Sequence, residues 1–295
     1  MINSRINSVA IVCTKDRQLE LFNILQNLDN QVEKFLRIIV IDSSDNDSSI
    51  SSINRFSNVD YYQSNPGLTH QRNIGVTKIP KDTNFCHFFD DDVIIDDKYL
   101  HHFNSYIKDF SEIKIATGRQ IDISSSNFLI QLARLTGING KLLSNGINLS
   151  PNYHSLKDGS IIEWMPGCNM IIATELLTRS DIFFDEINRS GYSMGEDVDI
   201  SIKLSRYGQI FYLPKCVYKH NLSTNNRASE VKKYLEFLNH RLLLTRDFPE
   251  KFKRNTLVVS VRLELILFSL LYFFSRKSYF KSWREAIRIF VREIN

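Results

Sequence analysis

A chain of 295 residues with 43% hydrophobic and 24% charged residues can bury a full core, which excludes wholesale disorder and leaves length for an appendage. Four scattered cysteines, Cys13, Cys86, Cys168 and Cys216, lack CxxC pairing and read as buried thiols of a reducing compartment rather than a zinc site. The net charge of +4 is uneven: Arg227 to Asn295 carry 15 Lys/Arg and 7 Asp/Glu, a net of +8 against −4 before them, which points to a polyanionic partner, membrane or nucleic acid.

In chain order, Met1 to Arg5 lack the apolar core of a secretory signal, so a cytoplasmic location is expected. Val9 to Cys13 is an unbroken apolar run, and Arg37 to Asp42 repeats it after a helical stretch from Gln18 to Leu28 in which Leu21, Leu25 and Leu28 share a face. This is a βαβ unit. Val59 to Tyr62 is a third strand, Leu68 to Val76 a short helix, Phe85 to Phe89 a fourth strand and Ile113 to Ala116 a fifth. The alternation predicts an α/β fold with a largely parallel sheet and helices on both faces. Ligands of such sheets bind beyond the carboxyl ends of the strands, where Asp42 and Asp90-Asp91-Asp92 fall. From Ser124 to Ser160 the chain is rich in Asn, Ser and Gly, with an apolar helix candidate at Phe128 to Leu135, and reads as a long excursion over that face. Order returns at Ile161 to Ile172, followed by a helix from Val198 to Tyr207, a C-cap at Gly208 and a strand from Gln209 to Leu213.

Three carboxylates behind a buried strand suit Mg²⁺ or Mn²⁺, although an Asp at a strand end also serves as a turn or helix cap, the role that Asp96-Asp97 take before Lys98-Tyr99-Leu100. Several separated motifs accompany the triplet. Val12-Cys13-Thr14-Lys15-Asp16-Arg17 and Val40-Ile41-Asp42-Ser43-Ser44 close the first two strands, and Asn65-Pro66-Gly67-Leu68-Thr69-His70-Gln71-Arg72-Asn73-Ile74-Gly75 opens a helix. Trp164-Met165-Pro166-Gly167-Cys168-Asn169-Met170 and Gly195-Glu196-Asp197-Val198-Asp199 follow. In this order and at these intervals the chain resembles family 2 glycosyltransferases of the GT-A fold, of the bacterial surface-polysaccharide type, over roughly residues 8 to 222.

The resemblance implies an inverting, metal-dependent transfer of a sugar from a UDP-, GDP- or dTDP-linked donor to a glycan acceptor, one carried on lipid. Asp92, with Asp90 and His220, would hold Mn²⁺ or Mg²⁺. Thr14, Arg17, Asp42, Gly67, Arg72, Asn73, Asp90 and Asp91 would contact the donor. Trp164, Gly167, Asn169 and Glu196 would face the acceptor, and Asp197 would be the catalytic base, assisted by Glu196. Competing accounts make His220 and Arg17 solvated surface residues and Trp164 a core side chain. The implied division is a nucleotide-sugar-binding half at 1–118, an acceptor-binding and catalytic half at 119–226, and a basic helical C-terminal region at 227–295. A metal-dependent nucleotidyltransferase, or a nucleotide-sugar or glycan binding protein without catalysis, stays open beside this reading.

In the basic tail, Leu263 to Phe274 is the most apolar segment, too short to cross a membrane once Arg262 and Glu264 are counted. Phe280, Trp283, Ile287, Phe290 and Ile294 then recur at helical spacing, flanked by Lys277, Lys281, Arg284, Arg288 and Arg292. That pattern predicts an interfacial helix on anionic lipid, peripheral to the inner face of the cell membrane, or else a stripe docked on protein. No aromatic-basic surface of a known type points to nucleic acid.

Overall fold

The computed structural model describes residues 6–45, 53–121, 139–150, 156–186, 194–221 and 229–294. The chain divides into two compact units, residues 1–141 with 150–223, and residues 142–149 with 224–295. The helix candidate Phe128 to Leu135 lies outside the described residues.

The first unit is built on one sheet. Four strands, β1 (Ser8–Thr14), β2 (Arg37–Asp42), β3 (Val59–Gln63) and β4 (Phe85–Asp90), run parallel in the order β3-β2-β1-β4. The sheet then continues with strands that arrive later in the chain. Beyond β4 lies β8 (Asn169–Ala173), antiparallel to it, then β6 (Ile115–Gln120), then β9 (Ile210–His220) parallel to β6. Two short strands, β5 (Val93–Ile95) and β7 (Ile161–Ile162), pair antiparallel with β9. Among the described residues β1, β2, β3, β4, β6 and β9 therefore share one direction, and β6 runs across position 118, so the residues before and after it belong to one sheet.

The unbroken apolar runs are resolved by the strand's two-residue period into two buried faces. Ala10, Val12, Ile38 and Val40 meet Leu21, Ile24, Leu25 and Leu28 of α1 (Gln18–Asp29) and Phe103 of α3 (Tyr99–Asp109). Val9, Ile11, Ile39 and Ile41 face the other way, toward α4 (Thr174–Leu177) and α5 (Glu196–Leu204), with Leu68 and Ile74 of α2 (Leu68–Thr77) packed alongside. Each fully buried Leu or Ile stabilises by about 1.5–3 kcal/mol, so both faces are needed to hold the central strands. The last strand differs from the sequence expectation, which ended it at Leu213. The strand instead continues to His220, and the register against β6 jumps from Gly118↔Leu213 to Arg119↔Val217, so Pro214 sits in an irregularity where no ladder bond is required of it. Gly118 is obligatory there: a Cβ would lie 2.1 Å from the Cys216 carbonyl oxygen.

The second unit is helical: α6 (Glu230–Asp247), capped by the Ser229 side chain, α7 (Arg254–Ser275) and α8 (Ser278–Ile294). Leu238, Leu257, Val261, Ile287 and Phe290 form its core, and Trp283 stacks on Tyr234 with centroids 5.4 Å apart. The α8 stripe assigned above to a lipid surface is thus largely taken up by helix packing, because α6 and α7 offer it an apolar partner. The reading of α7 also changes. Its 22 residues, with a mean hydropathy of 2.1 over an 18-residue window, are long and apolar enough to cross a membrane by length and composition. Its Glu264 is paired: Arg241 donates to both its oxygens at 2.9 and 3.0 Å, and Tyr234 and Ser260 each donate at 2.7 Å.

Candidate active site

The carboxyl ends of β4 and β9 bring together residues far apart in sequence. At the end of β4, Asp90, Asp91 and Asp92 take overlapping sets of partners. Asp91 is buried and bound to the end of β1: the Thr14 hydroxyl donates to it at 2.7 Å and Arg17 Nη1 at 2.8 Å. Burial pushes its carboxyl up to about 6 against the pull of Arg17. Asp92 accepts from Arg17 at 3.5 Å and lies 2.9 Å from His220 Nε2. Asp90 is more open, with Arg72 Nη2 at 3.3 Å and His220 Nε2 at 4.0 Å.

His220 reaches this place because β5 folds back on β9 with Val93 opposite His220. One ligand atom from each of Asp90, Asp92 and His220 lies within 4.8 Å of the others. Two carboxylates and an imidazole suit Mn²⁺ better than Mg²⁺, whose preference for oxygen is stricter. Burial opposes a charge on His220, but the hydrogen bond with Asp92 and the neighbouring Cys168 and Asp90 outweigh it and push the imidazole up to about 11. To serve as a ligand for a cation here, the imidazole would have to give up that proton.

Arg72 is the hub of the site. It is 2% exposed, donates to Glu196 Oε1 at 2.9 Å and to the Gly167 carbonyl at 3.0 Å, and lies over the Phe184 ring at 5.4 Å. With its bond to Asp90, it joins the strand-end carboxylates to the first turn of α5. That turn opens at Gly195, whose φ of 86° places it in the left-handed region open to glycine. Glu196 and Asp197 follow it directly. Asp197 accepts from the amide of Gly167 at 3.1 Å and from that of Val198 at 2.8 Å. Its carboxyl is pushed up to about 7, first by burial and then by the charge of Glu196, with the two amides and Arg72 pulling the other way. Gly167 allows the close approach: a Cβ there would lie 3.0 Å from Glu196 Oε1 and 3.2 Å from Arg72 Nη2.

A cleft of about 290 Å³ opens over these groups. Asp90, His220, Glu196, Asp197, Gly167 and Trp164 all line it, so candidate cation ligands, candidate base and candidate acceptor residues share one space. Trp164 is mostly buried yet presents a surface to the cleft.

Other expected residues do not line that cleft. Asn169 is fully buried between strands, accepting from the Gly118 amide at 2.6 Å and donating to Tyr99 at 2.9 Å. Asn73 is turned toward the segment after α4, bonding Phe184 through both its amide groups and Glu186 at 2.6 Å. Asp42 is buried, with Ser44 on one oxygen and Tyr61 on the other. Gly67, at φ 144°, makes the turn into α2. Gln71 was not singled out from the sequence, yet its amide ties the carbonyls of Thr14 and Ile41 at 2.9 and 2.8 Å and so fixes the ends of β1 and β2. Gln120, Ser150 and Cys168 of the cleft were likewise missed.

No protein-family model and no curated protein matches the chain. Solved structures do. Residues 1–349 of Staphylococcus aureus TarS superpose with a TM-score of 0.56 at 16% identity, covering 98% of this chain and 92% of that one. The same TarS segment in complex with UDP-GlcNAc gives 0.54 at 15%, with the same coverage. The mannosyltransferase PcManGT from Pyrobaculum calidifontis, in complex with GDP-Man and Mn²⁺, gives 0.61 at 13%, covering 97% of this chain and 85% of that one. The fold is theirs. It is the α/β, GT-A architecture with added C-terminal helices that the sequence led us to expect.

Proposed function

We propose that the protein is an inverting glycosyltransferase that moves a sugar from a nucleotide-diphosphate donor to a hydroxyl of a glycan acceptor, lipid-linked and destined for a surface polysaccharide. The observation that carries this reading is the shared cleft, in which Asp90 and His220 face the same space as Asp197. Residues 1–118 would supply the donor side and 119–226 the acceptor side. The likeness in fold to structures holding UDP-GlcNAc, and GDP-Man with Mn²⁺, supports a nucleotide-sugar donor.

Asp90, Asp92 and His220 would hold a divalent cation, Mn²⁺ by their chemistry, which when bound neutralises charge on the departing diphosphate. Asp197 takes the proton of the acceptor hydroxyl. The acceptor oxygen then bonds to the anomeric carbon as the carbon–oxygen bond to the diphosphate breaks, and the nucleoside diphosphate departs. A single displacement with the base opposite the leaving group inverts the anomeric centre. A base is most effective with a pKa near the working pH, and burial beside Glu196 brings Asp197 there. Arg72 fixes Glu196, and the Gly167 and Val198 amides orient the Asp197 carboxylate. Trp164 lines the cleft, where an aromatic side chain would suit the apolar side of a sugar ring.

Asp197→Asn tests the assignment. Transfer should fall by about 10²- to 10⁴-fold while the thermal shift given by donor and Mn²⁺ persists; unchanged transfer would remove Asp197 from the role of base.

A further inference from the structure

One face of α7 has no covering protein among the described residues. Val259, Leu263, Ile266, Leu270, Phe273 and Phe274 are between 52% and 79% exposed, and their steps of three and four place them on one side of the helix. The opposite side is fully used: Leu257 and Val261 pack against Leu238 of α6 and Ile287 of α8, and Glu264 is held by Arg241. Such a stripe is an interaction surface.

Charge tells which partner it fits. At its C-terminal end Arg276 takes a left-handed turn with its guanidinium 5.5 Å above the Phe273 ring, Arg284 lies 5.0 Å above the Tyr272 ring, and Lys277 lies 5.9 Å from the Tyr279 ring. Lys281 and Arg288 are exposed nearby on α8. Aromatic rings topped by cations, next to exposed apolar side chains, match the boundary between acyl chains and anionic headgroups. A second copy of the chain fits less well, because facing stripes would bring these cationic ends against each other or leave them unpaired. Crossing the bilayer fits less well too, because α8 packs along α7 and would carry Lys281, Arg284 and Arg288 into hydrocarbon.

We propose that the exposed face of α7 lies in the interface of an anionic membrane, its apolar stripe inserted at headgroup depth and the cations of the α7–α8 turn set against lipid phosphates. The surface is independent of the catalytic reading, and its occupant is lipid rather than the α8 stripe's own packing partners.

The full chain is sedimented with vesicles of phosphatidylcholine alone and of phosphatidylcholine with phosphatidylglycerol. Wild type should pellet with the anionic vesicles and only weakly with the neutral ones. The double variant Ile266→Glu/Leu270→Glu should bind on the order of a hundredfold more weakly with an unchanged melting temperature. Lys277→Glu/Lys281→Glu should lose about fivefold per residue, on anionic vesicles only. Equal sedimentation of wild type and the stripe variant would overturn the proposal. So would a dimer in lipid-free buffer that the stripe variant dissolves, or resistance of vesicle-bound protein to alkaline extraction, which would mark a crossing helix. Because vesicle binding is read without substrate, its failure leaves the transferase reading standing, and loss of transfer leaves this one standing.

Discussion

Replacing Arg72 with Met removes the guanidinium that lies 2.9 Å from Glu196 and 3.3 Å from Asp90, while keeping most of the side chain's volume. Arg72 is 2% exposed, so its loss leaves Glu196 facing Asp197 with no compensating charge and strands the Gly167 carbonyl. Breaking a buried pair from one side costs about 3–5 kcal/mol. For a domain of this size each kcal/mol lowers the melting temperature by roughly 2–4 °C, so a fall on the order of 10 °C is expected by differential scanning fluorimetry. A second effect separates a catalytic tie from a purely structural one. Arg72 pulls the Asp197 carboxyl down, so without it the pH at which transfer reaches half its plateau should move upward from about 7. Arg72→Lys keeps the charge but not the fork that reaches three acceptors, and should recover part of the pH shift and less of the stability. A melting temperature within about 1 °C of wild type, with an unmoved pH profile, would refute the reasoning that Arg72 joins the two carboxylate groups.

Transfer by the wild type should decline below about pH 7, by about tenfold per unit, because Asp197 must be unprotonated to accept a proton and its carboxyl is raised to about 7. Initial rates between roughly pH 5 and 9 at saturating donor would show a flat acid limb if another group were the base. Ile287→Ala should cost about 2–5 kcal/mol in lipid-free buffer by denaturant unfolding, since Ile287 is fully buried in the helical unit. A cost below about 1 kcal/mol would return the α8 stripe to the solvent or lipid side.

The central strands were legible because a doubly covered strand is apolar through its middle, and Val9 to Cys13 and Ile38 to Ile41 are. The far half of the sheet was less so. Three-residue β5 and two-residue β7 carry no periodic signal, and β9 hides its length behind Pro214. The site followed the same division. Asp90 to Asp92 could be placed at a strand end from local pattern, but His220 joins them only through β5 folding on β9, a pairing that local sequence does not specify. Motif position suggests Asn169 for the acceptor side; the bonds its amide makes to the Gly118 amide and to Tyr99 depend on strand pairings that local sequence does not specify. Motif position makes Arg72 a donor contact, and only the three-dimensional meeting of α2 with α5 shows it buried among carboxylates. In the tail, amphipathicity identified α8 correctly as a helix with an apolar stripe but not what covers it, since protein and lipid satisfy the same pattern.

The central claim is a nucleotide-sugar site built on Asp90, Asp92 and His220. Melting curves of wild type and Asp92→Ala with UDP-, GDP- and dTDP-linked sugars, each with and without Mn²⁺, test it most directly. At least one donor should raise the wild-type melting temperature only when Mn²⁺ is present, and the same pair should leave Asp92→Ala unmoved; no response to any donor with Mn²⁺, or an equal response from Asp92→Ala, would contradict it.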